Sequence, residues 1–203
     1  MFLFRKIYCH FKEQRFLYLL LSAIVFVGFL AGCFYANLIS SADFLQAEEQ
    51  AEQFIKNAKA GELSFQLMLL EELSPYLCIV LCSLFLFGFL PMGFLVFKWG
   101  FSSGFFLTFL VKCFFVKGFF LGGFFLFPTL LLFLPSLAVL SAKSLEVNRF
   151  LLGCALHRTP SGQNLWEHLI GIALVSLGTL FIVFAGVLVK FLLLPPLTNY
   201  LFL

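Results

Sequence analysis

The chain has 203 residues and a formal net charge of +3; 62% of its residues are hydrophobic and only 11% are charged. Soluble globular domains carry about 25% charged residues, so this chain has too little polar material to cover a water-soluble core. The small net charge, without a basic stripe interleaved with aromatic residues, also argues against binding to nucleic acid. The composition therefore predicts that a lipid bilayer surrounds most of the chain.

In lipid, only helices and closed barrels satisfy their own backbone hydrogen bonds. The apolar runs of this chain are long, and they lack the alternation of polar and apolar residues that marks a barrel strand. We therefore expect an all-α, polytopic membrane helix bundle with about five transmembrane helices and one amphipathic extracytoplasmic helical segment.

The first predicted span covers residues 16–39 and follows a basic segment, residues 1–15. Because Lys and Arg are retained on the cytoplasmic side of a membrane, this segment predicts a cytoplasmic N-terminus. The span also contains Leu30-Ala31-Gly32-Cys33, which has the pattern of a bacterial lipoprotein cleavage site. Lipidation of Cys33 is therefore the alternative to an uncleaved first helix.

Residues 40–74 are acidic, with seven carboxylates and two lysines. Their apolar residues recur three and four apart, which is the spacing of an amphipathic helix. With the N-terminus inside, this segment lies outside the membrane. Its apolar stripe includes Phe44, Phe54 and Ile55, which are candidates for docking a partner protein.

The next apolar stretch, residues 75–142, contains three charged residues, all of them lysines. Division at two of these lysines gives three predicted spans, residues 75–97, 99–116 and 118–142. Ser74-Pro75 has the pattern of a helix start, with Ser as the N-cap and Pro at the first helical position. The middle span is short, and a re-entrant hairpin over residues 98–117 is the alternative. No predicted span contains an Asp or Glu, whereas proton-coupled carriers usually have one.

Residues 143–167 are predicted to form a cytoplasmic loop, and residues 168–190 the last span. Lys190 and Pro195-Pro196 predict the end of that helix, which leaves residues 191–203 as an apolar tail at the membrane interface. Lys112 and Lys117 are predicted to anchor helix ends at the interface; binding of an anionic substrate is the alternative.

Three pairs of glycines, each four residues apart, predict helix faces that another backbone can approach closely. They are Gly28/Gly32, Gly100/Gly104 and Gly118/Gly122. In the fourth span, Pro128 and Pro135 lie on one face and predict a kink, which borders either a packing site or a cavity.

No nucleophile elbow, phosphate-binding loop or zinc-protease motif occurs in the sequence. The six cysteines contain no C-x-x-C pair, the usual spacing of a zinc or redox site. We therefore predict that the chain is not an enzyme, and we assign it no catalytic residue, metal or cofactor.

One region resembles the stage II sporulation protein M family. Its residues are Gly100-Phe-Ser-Ser-Gly104-Phe105, then Lys117-Gly118, then Pro128-Thr-Leu-Leu-Leu-Phe-Leu-Pro135. The layout is similar as well, with a basic N-terminus, a first span rich in small residues, an acidic outer loop and four further spans. Two departures are Leu130, where the family often has Asn, and Lys98, which lies one residue farther from its Gly.

The resemblance implies a multi-pass protein of the bacterial cell membrane in endospore formers. Members of the family anchor two peptidoglycan-degrading partners, sporulation proteins D and P, during engulfment of the forespore. The first functional hypothesis is accordingly a non-catalytic membrane scaffold. The alternative is a permease-like subunit driven by a separate ATPase, with its site near Pro128 and Pro135 and its coupling surface in residues 143–167.

Overall fold

The structure is a computed structural model, and it describes residues 15–60, 62, 64–156 and 165–202. Within these residues, all regular secondary structure is helical. The α-helices are α1 (Arg15–Leu38), α2 (Ser41–Ala60), α3 (Phe65–Ser83), α4 (Phe89–Pro128), α5 (Leu134–Ala155) and α6 (Leu165–Leu201). A π-helical segment, Thr129–Phe133, joins α4 to α5. The predicted all-α helix bundle is confirmed.

Four helical stretches in the described part of the chain are long and apolar enough to cross a membrane. Three of them are α1, α3 and α6. The fourth is the 67-residue stretch Phe89–Ala155, which combines α4, the π-helical segment and α5. The acidic helix α2 is outside this set.

The helix α4 is divided at Phe115, whose backbone has φ 49° and ψ −124°. Beyond Phe115 the chain folds back on itself. A Cβ atom on Gly118 would lie 1.9 Å from the carbonyl oxygen of Leu110, and one on Gly122 would lie 2.8 Å from the Leu107 side chain. Thus α4 consists of two antiparallel arms, which we name α4a (residues 89–114) and α4b (residues 116–128). Counted this way, the described residues make five passes through the bundle, formed by α1, α3, α4a, α4b together with α5, and α6.

Two of the predicted glycine pairs lie against each other, Gly28/Gly32 on α1 and Gly100/Gly104 on α4a. A Cβ atom on Gly32 would lie 2.0 Å from the carbonyl oxygen of Phe101, and one on Gly104 would lie 2.1 Å from that of Phe29. The backbones are therefore in direct contact, as glycine at four-residue spacing permits. Since the residue numbers rise together along both helices, α1 and α4a run parallel.

The directions of the other passes follow from four residue contacts, Tyr76–Ser136, Ile79–Ser144, Phe133–Gly186 and Lys143–Gly171. The first two show that α3 and α5 run parallel, and the last two show that α6 runs opposite to α5. The start of α1, the turn at residues 84–88 and the end of α5 therefore lie at one end of the bundle. At the opposite end lie α2 and the turn at Phe115.

The boundaries of the second and third predicted spans are wrong. Pro75 does not begin a helix: it lies inside α3, which begins at Phe65. Lys98 does not separate two helices: it lies inside α4a, and the chain turns at residues 84–88. An internal proline is tolerated in an apolar helix because neighbouring groups bond the freed backbone atoms, and Lys is itself a good helix former. The alternative hairpin over residues 98–117 is also not observed, because the chain reverses at Phe115.

The later predicted boundaries also need correction. The helix α5 continues to Ala155, so residues 143–155 are helical and not part of a loop. The centre of that predicted loop, residues 157–164, lies outside the described residues, as do residues 1–14 of the predicted basic segment. The helix α6 does not end at Lys190 or at Pro195-Pro196, and it continues to Leu201.

Candidate functional site: a charged cavity between α3, α4 and α6

Lys190, in the C-terminal third of α6, is a buried charged residue with only 4% of its surface exposed. Its Nζ atom lies 2.5 Å from a carboxylate oxygen of Glu72 on α3. The same nitrogen lies 4.9 Å from the ring centre of Phe133 and 5.7 Å from that of Phe125. A buried ammonium group is tolerated when a carboxylate pairs with it, and aromatic faces add cation–π attraction.

The π-helical segment Thr129–Phe133 brings Phe133 to this position. Pro128 and Pro135 flank the segment, and because Pro135 has no N–H donor, regular α-helical bonding cannot continue through it. The Phe133 side chain is fully buried and packs on Gly186 of α6, where a Cβ atom would lie 2.3 Å from the ring. The predicted proline kink therefore borders the charged site.

A hydrogen-bond network holds the segment on α3. The Tyr76 hydroxyl lies 3.0 Å from the carbonyl oxygen of Phe133, to which it donates, and 3.0 Å from the Ser136 hydroxyl. Ser136 also donates to the Phe133 carbonyl oxygen at 2.8 Å. All three residues are buried. Buried polar groups that have hydrogen-bond partners favour a single geometry. This network therefore fixes the position of Phe133, whose ring lies against the Lys190 ammonium.

Beside the ion pair is a cavity of about 600 Å³. This volume is within the usual range for small-molecule sites. The cavity lies between α3, α4 and α6, with Phe54 of α2 at its edge. Its polar lining consists of Glu71, Glu72, Ser74, Lys98, Ser102, Ser103 and Lys190. The apolar lining is largely aromatic and includes Trp99, Phe101, Phe105, Phe106 and Phe125.

Two of the charges that line this cavity have no ionic partner within the described residues. They are Glu71 on α3 and Lys98 on α4a, and both side chains are exposed. Glu72 and Lys190 neutralise each other. The cavity therefore presents one available negative charge and one available positive charge, with no net charge overall.

The expectation that no carboxylate lies within a span is wrong for α3, which contains Glu71 and Glu72. Because α3 begins at Phe65 and not at Pro75, both glutamates belong to an apolar helix and not to the outer segment. The pairing of Glu72 with Lys190 joins residues 118 positions apart. Nothing in the local sequence pattern identifies such a pair.

The lysines considered for an anionic substrate lie elsewhere. The Lys112 ammonium donates a hydrogen bond to the carbonyl oxygen of Ala36 at 2.8 Å. This carbonyl group lies in the last turn of α1, where it has no acceptor role within the helix. Lys117 lies 5.5 Å from the ring centre of Phe202. Neither lysine lines the cavity.

The three docking candidates of α2 pack on the chain's own helices. Phe44 contacts the ring of Phe109 at 5.6 Å between centroids, and Phe54 contacts that of Phe125 at 5.9 Å. Ile55 is 6% exposed and belongs to an apolar cluster with α4 and α6. The predicted amphipathic stripe is therefore used inside this chain, and these residues do not form a free docking surface.

Cys33, considered for lipidation, lies within the continuous helix α1, and its thiol is 3.5 Å from the carbonyl oxygen of Gly104. Among the described residues, no group of three or more His, Cys, Asp or Glu is arranged to hold a metal ion.

Comparison with known proteins gives no match to a family model, to a curated protein or to a solved structure. The function is therefore inferred from the geometry of the cavity and its charges.

Proposed function

We propose that this chain is a transport protein, or a permease-like transport subunit, that moves a small polar solute through the bundle. The observation that carries the proposal is the cavity of about 600 Å³ lined by four charged residues, between helices apolar enough to cross a membrane. Charged groups are costly in a bilayer, and where they occur they usually mark a substrate or ion pathway. The site differs from the one expected at Pro128 and Pro135; those prolines flank the segment whose Phe133 ring contacts Lys190.

We further propose that the chain lies in a bacterial cell membrane. The N-terminal end of the bundle, where α1 starts and α5 ends, would face the cytoplasm. Three Lys and Arg residues of the described helices belong to that end: Arg15, Lys143 and Arg149. The sequence segments joined to it, which lie outside the described residues, add four more: Arg5, Lys6, Lys12 and Arg158. Four belong to the opposite end: Lys56, Lys59, Lys112 and Lys117. The excess at the N-terminal end favours this orientation under the positive-inside rule.

The scaffold role implied by the resemblance to the sporulation M family stays a prediction. Its proposed docking surface was the stripe of Phe44, Phe54 and Ile55, which packs on α4 and α6. No geometric feature of the described residues favours it over transport.

The test of transport is whether water reaches the cavity from both sides of the membrane. The six native cysteines are replaced, and Ser102, an exposed cavity residue, is changed to Cys. A membrane-impermeant thiol reagent is then applied to intact cells and to inverted vesicles. We expect Ser102→Cys to react in both preparations, because a transporter opens its site to each side in turn.

Two control positions distinguish water from lipid. Leu177→Cys is on a 73% exposed, apolar position of α6, and Leu137→Cys is in the core at 2% exposure. Both should remain unreactive, because the proposed membrane orientation places Leu177 against lipid and Leu137 has almost no exposed surface. Reaction of Ser102→Cys from one side only, or from neither, would overturn the transport proposal.

A further inference from the structure

We infer that the cavity binds a zwitterion, a ligand that carries an ammonium group and an anionic group together with an apolar part. This inference rests on the proposed transport function for its biological setting, but its chemistry follows from the cavity lining alone. The two ligand-binding charges are Glu71 and Lys98.

The charges that line the cavity favour a ligand with two opposite charges. Of the four charged residues in the lining, Glu72 and Lys190 are paired at 2.5 Å. The free carboxylate of Glu71 attracts an ammonium group, and the free ammonium of Lys98 attracts an anionic group. A solute with a single charge would pair with one of the two and leave the other without an ionic partner, whereas a zwitterion pairs with both.

The positions of the two free charges also favour a zwitterion. Glu71 lies on α3 and Lys98 lies on α4a, so the cavity presents opposite charges from two different helices. A ligand that meets both must carry its own charges in the reverse arrangement. Ser74 and Ser102 supply hydroxyl groups in the same lining, and these can donate to or accept from either ligand group.

The aromatic side chains of the lining favour a ligand that also has an apolar part. Trp99, Phe105, Phe106 and Phe125 line the same cavity and provide aromatic surface beside the charges. An apolar group of the ligand gains free energy when it leaves water for that surface. Two sources provide this chemistry: a free amphipathic zwitterion such as an apolar amino acid, and the headgroup region of a phosphatidylethanolamine lipid.

The test uses the full chain in nanodiscs of phosphatidylglycerol, a lipid without an ammonium group. The probes are L-leucine and L-phenylalanine, with N-acetyl-L-leucine and L-leucinamide as matched compounds that each lack one charge. Thermal unfolding is followed against probe concentration. In a second arm, the chain is placed in nanodiscs that contain equal parts of phosphatidylethanolamine and phosphatidylglycerol, and native mass spectrometry measures whether the first lipid is retained in preference to the second.

We expect either a free zwitterion or phosphatidylethanolamine to bind. If the free zwitterion binds, L-leucine should bind at least about tenfold more tightly than N-acetyl-L-leucine and L-leucinamide. Glu71→Gln should abolish the preference of L-leucine over N-acetyl-L-leucine, and Lys98→Gln the preference over L-leucinamide. If the lipid is the ligand, either substitution should abolish its selective retention. Glu52→Gln and Lys56→Gln, at an exposed ion pair outside the cavity, should change neither result.

Equal binding of the zwitterion and the single-charge compounds would overturn the inference, as would failure of both arms. The outcome is separate from that of the transport test. Zwitterion binding with access from one side only would retain the ligand and remove transport. Access from both sides without zwitterion binding would retain transport and remove this ligand class.

Discussion

The absence of a side chain at Gly32 and Gly104 lets the backbones of α1 and α4a touch. In lipid there is no hydrophobic force to drive two apolar helices together, so close packing supplies much of their attraction. A methyl group at either position would overlap a carbonyl oxygen and push the helices apart. Gly93, also on α4a, has no atom within 4 Å of the position that its Cβ would occupy.

These two environments predict opposite effects of the same substitution in one helix. Gly104→Ala should lower the free energy of unfolding by about 1–3 kcal/mol, because the packed site cannot accept the added atom. Gly93→Ala should raise it by about 0.5–1 kcal/mol, because alanine favours a helix over glycine. The measurement is SDS-induced unfolding in mixed micelles. Equal effects at the two positions would refute the glycine contact.

At the scale of the elements, the reversal between α4a and α4b depends on one strained residue. Phe115 has φ 49° and ψ −124°, a backbone conformation that suits glycine and is costly for a residue with a side chain. The Phe115 ring is 77% exposed and contributes little to the packing of the bundle. Strain at this position is therefore the main local effect of the residue.

Phe115→Gly should raise the free energy of unfolding by about 1–3 kcal/mol, because glycine adopts this conformation without strain. The control is Phe119→Gly in α4b, where the ring is 58% exposed and the backbone is helical. That substitution should be destabilising, since glycine weakens a helix. The same unfolding assay compares the two variants, and destabilisation by both would contradict the turn at Phe115.

At the scale of the whole molecule, the sequence predicted the helical class because long apolar runs leave few other solutions in lipid. The predicted helix ends at Pro75 and Pro195 are wrong, because both prolines lie inside helices and an apolar helix in lipid tolerates an internal proline. The glycine pairs were recognisable because four-residue spacing is local. The partners of Lys190 were not, because the chain brings them together only through tertiary structure.

The amphipathic stripe of α2 shows the same limit. The three- and four-residue spacing of its apolar residues identified a helix with one apolar face. It did not identify what that face contacts, and Phe54 and Ile55 pack on the chain's own helices. A sequence pattern gives the side of an element that is buried, whereas the identity of its neighbour depends on the complete fold.

The ion pair between Glu72 and Lys190 forms only where α3 packs on α6 beside the cavity, so its coupling energy measures that arrangement directly. The unfolding free energies of Glu72→Gln, Lys190→Met and the double variant are measured in mixed micelles. Each single change should lower the free energy of unfolding by about 3–5 kcal/mol, because it leaves the remaining charge of the pair without a partner. The double variant should lower it by much less than the sum of the two single changes.

The exposed pair of Lys56 and Glu52, 3.9 Å apart, is the matched control, and its coupling should be about 0.5 kcal/mol or less. We expect a coupling energy of several kcal/mol between Glu72 and Lys190. Additive effects of the two single changes would contradict both the arrangement of α3 against α6 and the charged cavity between them.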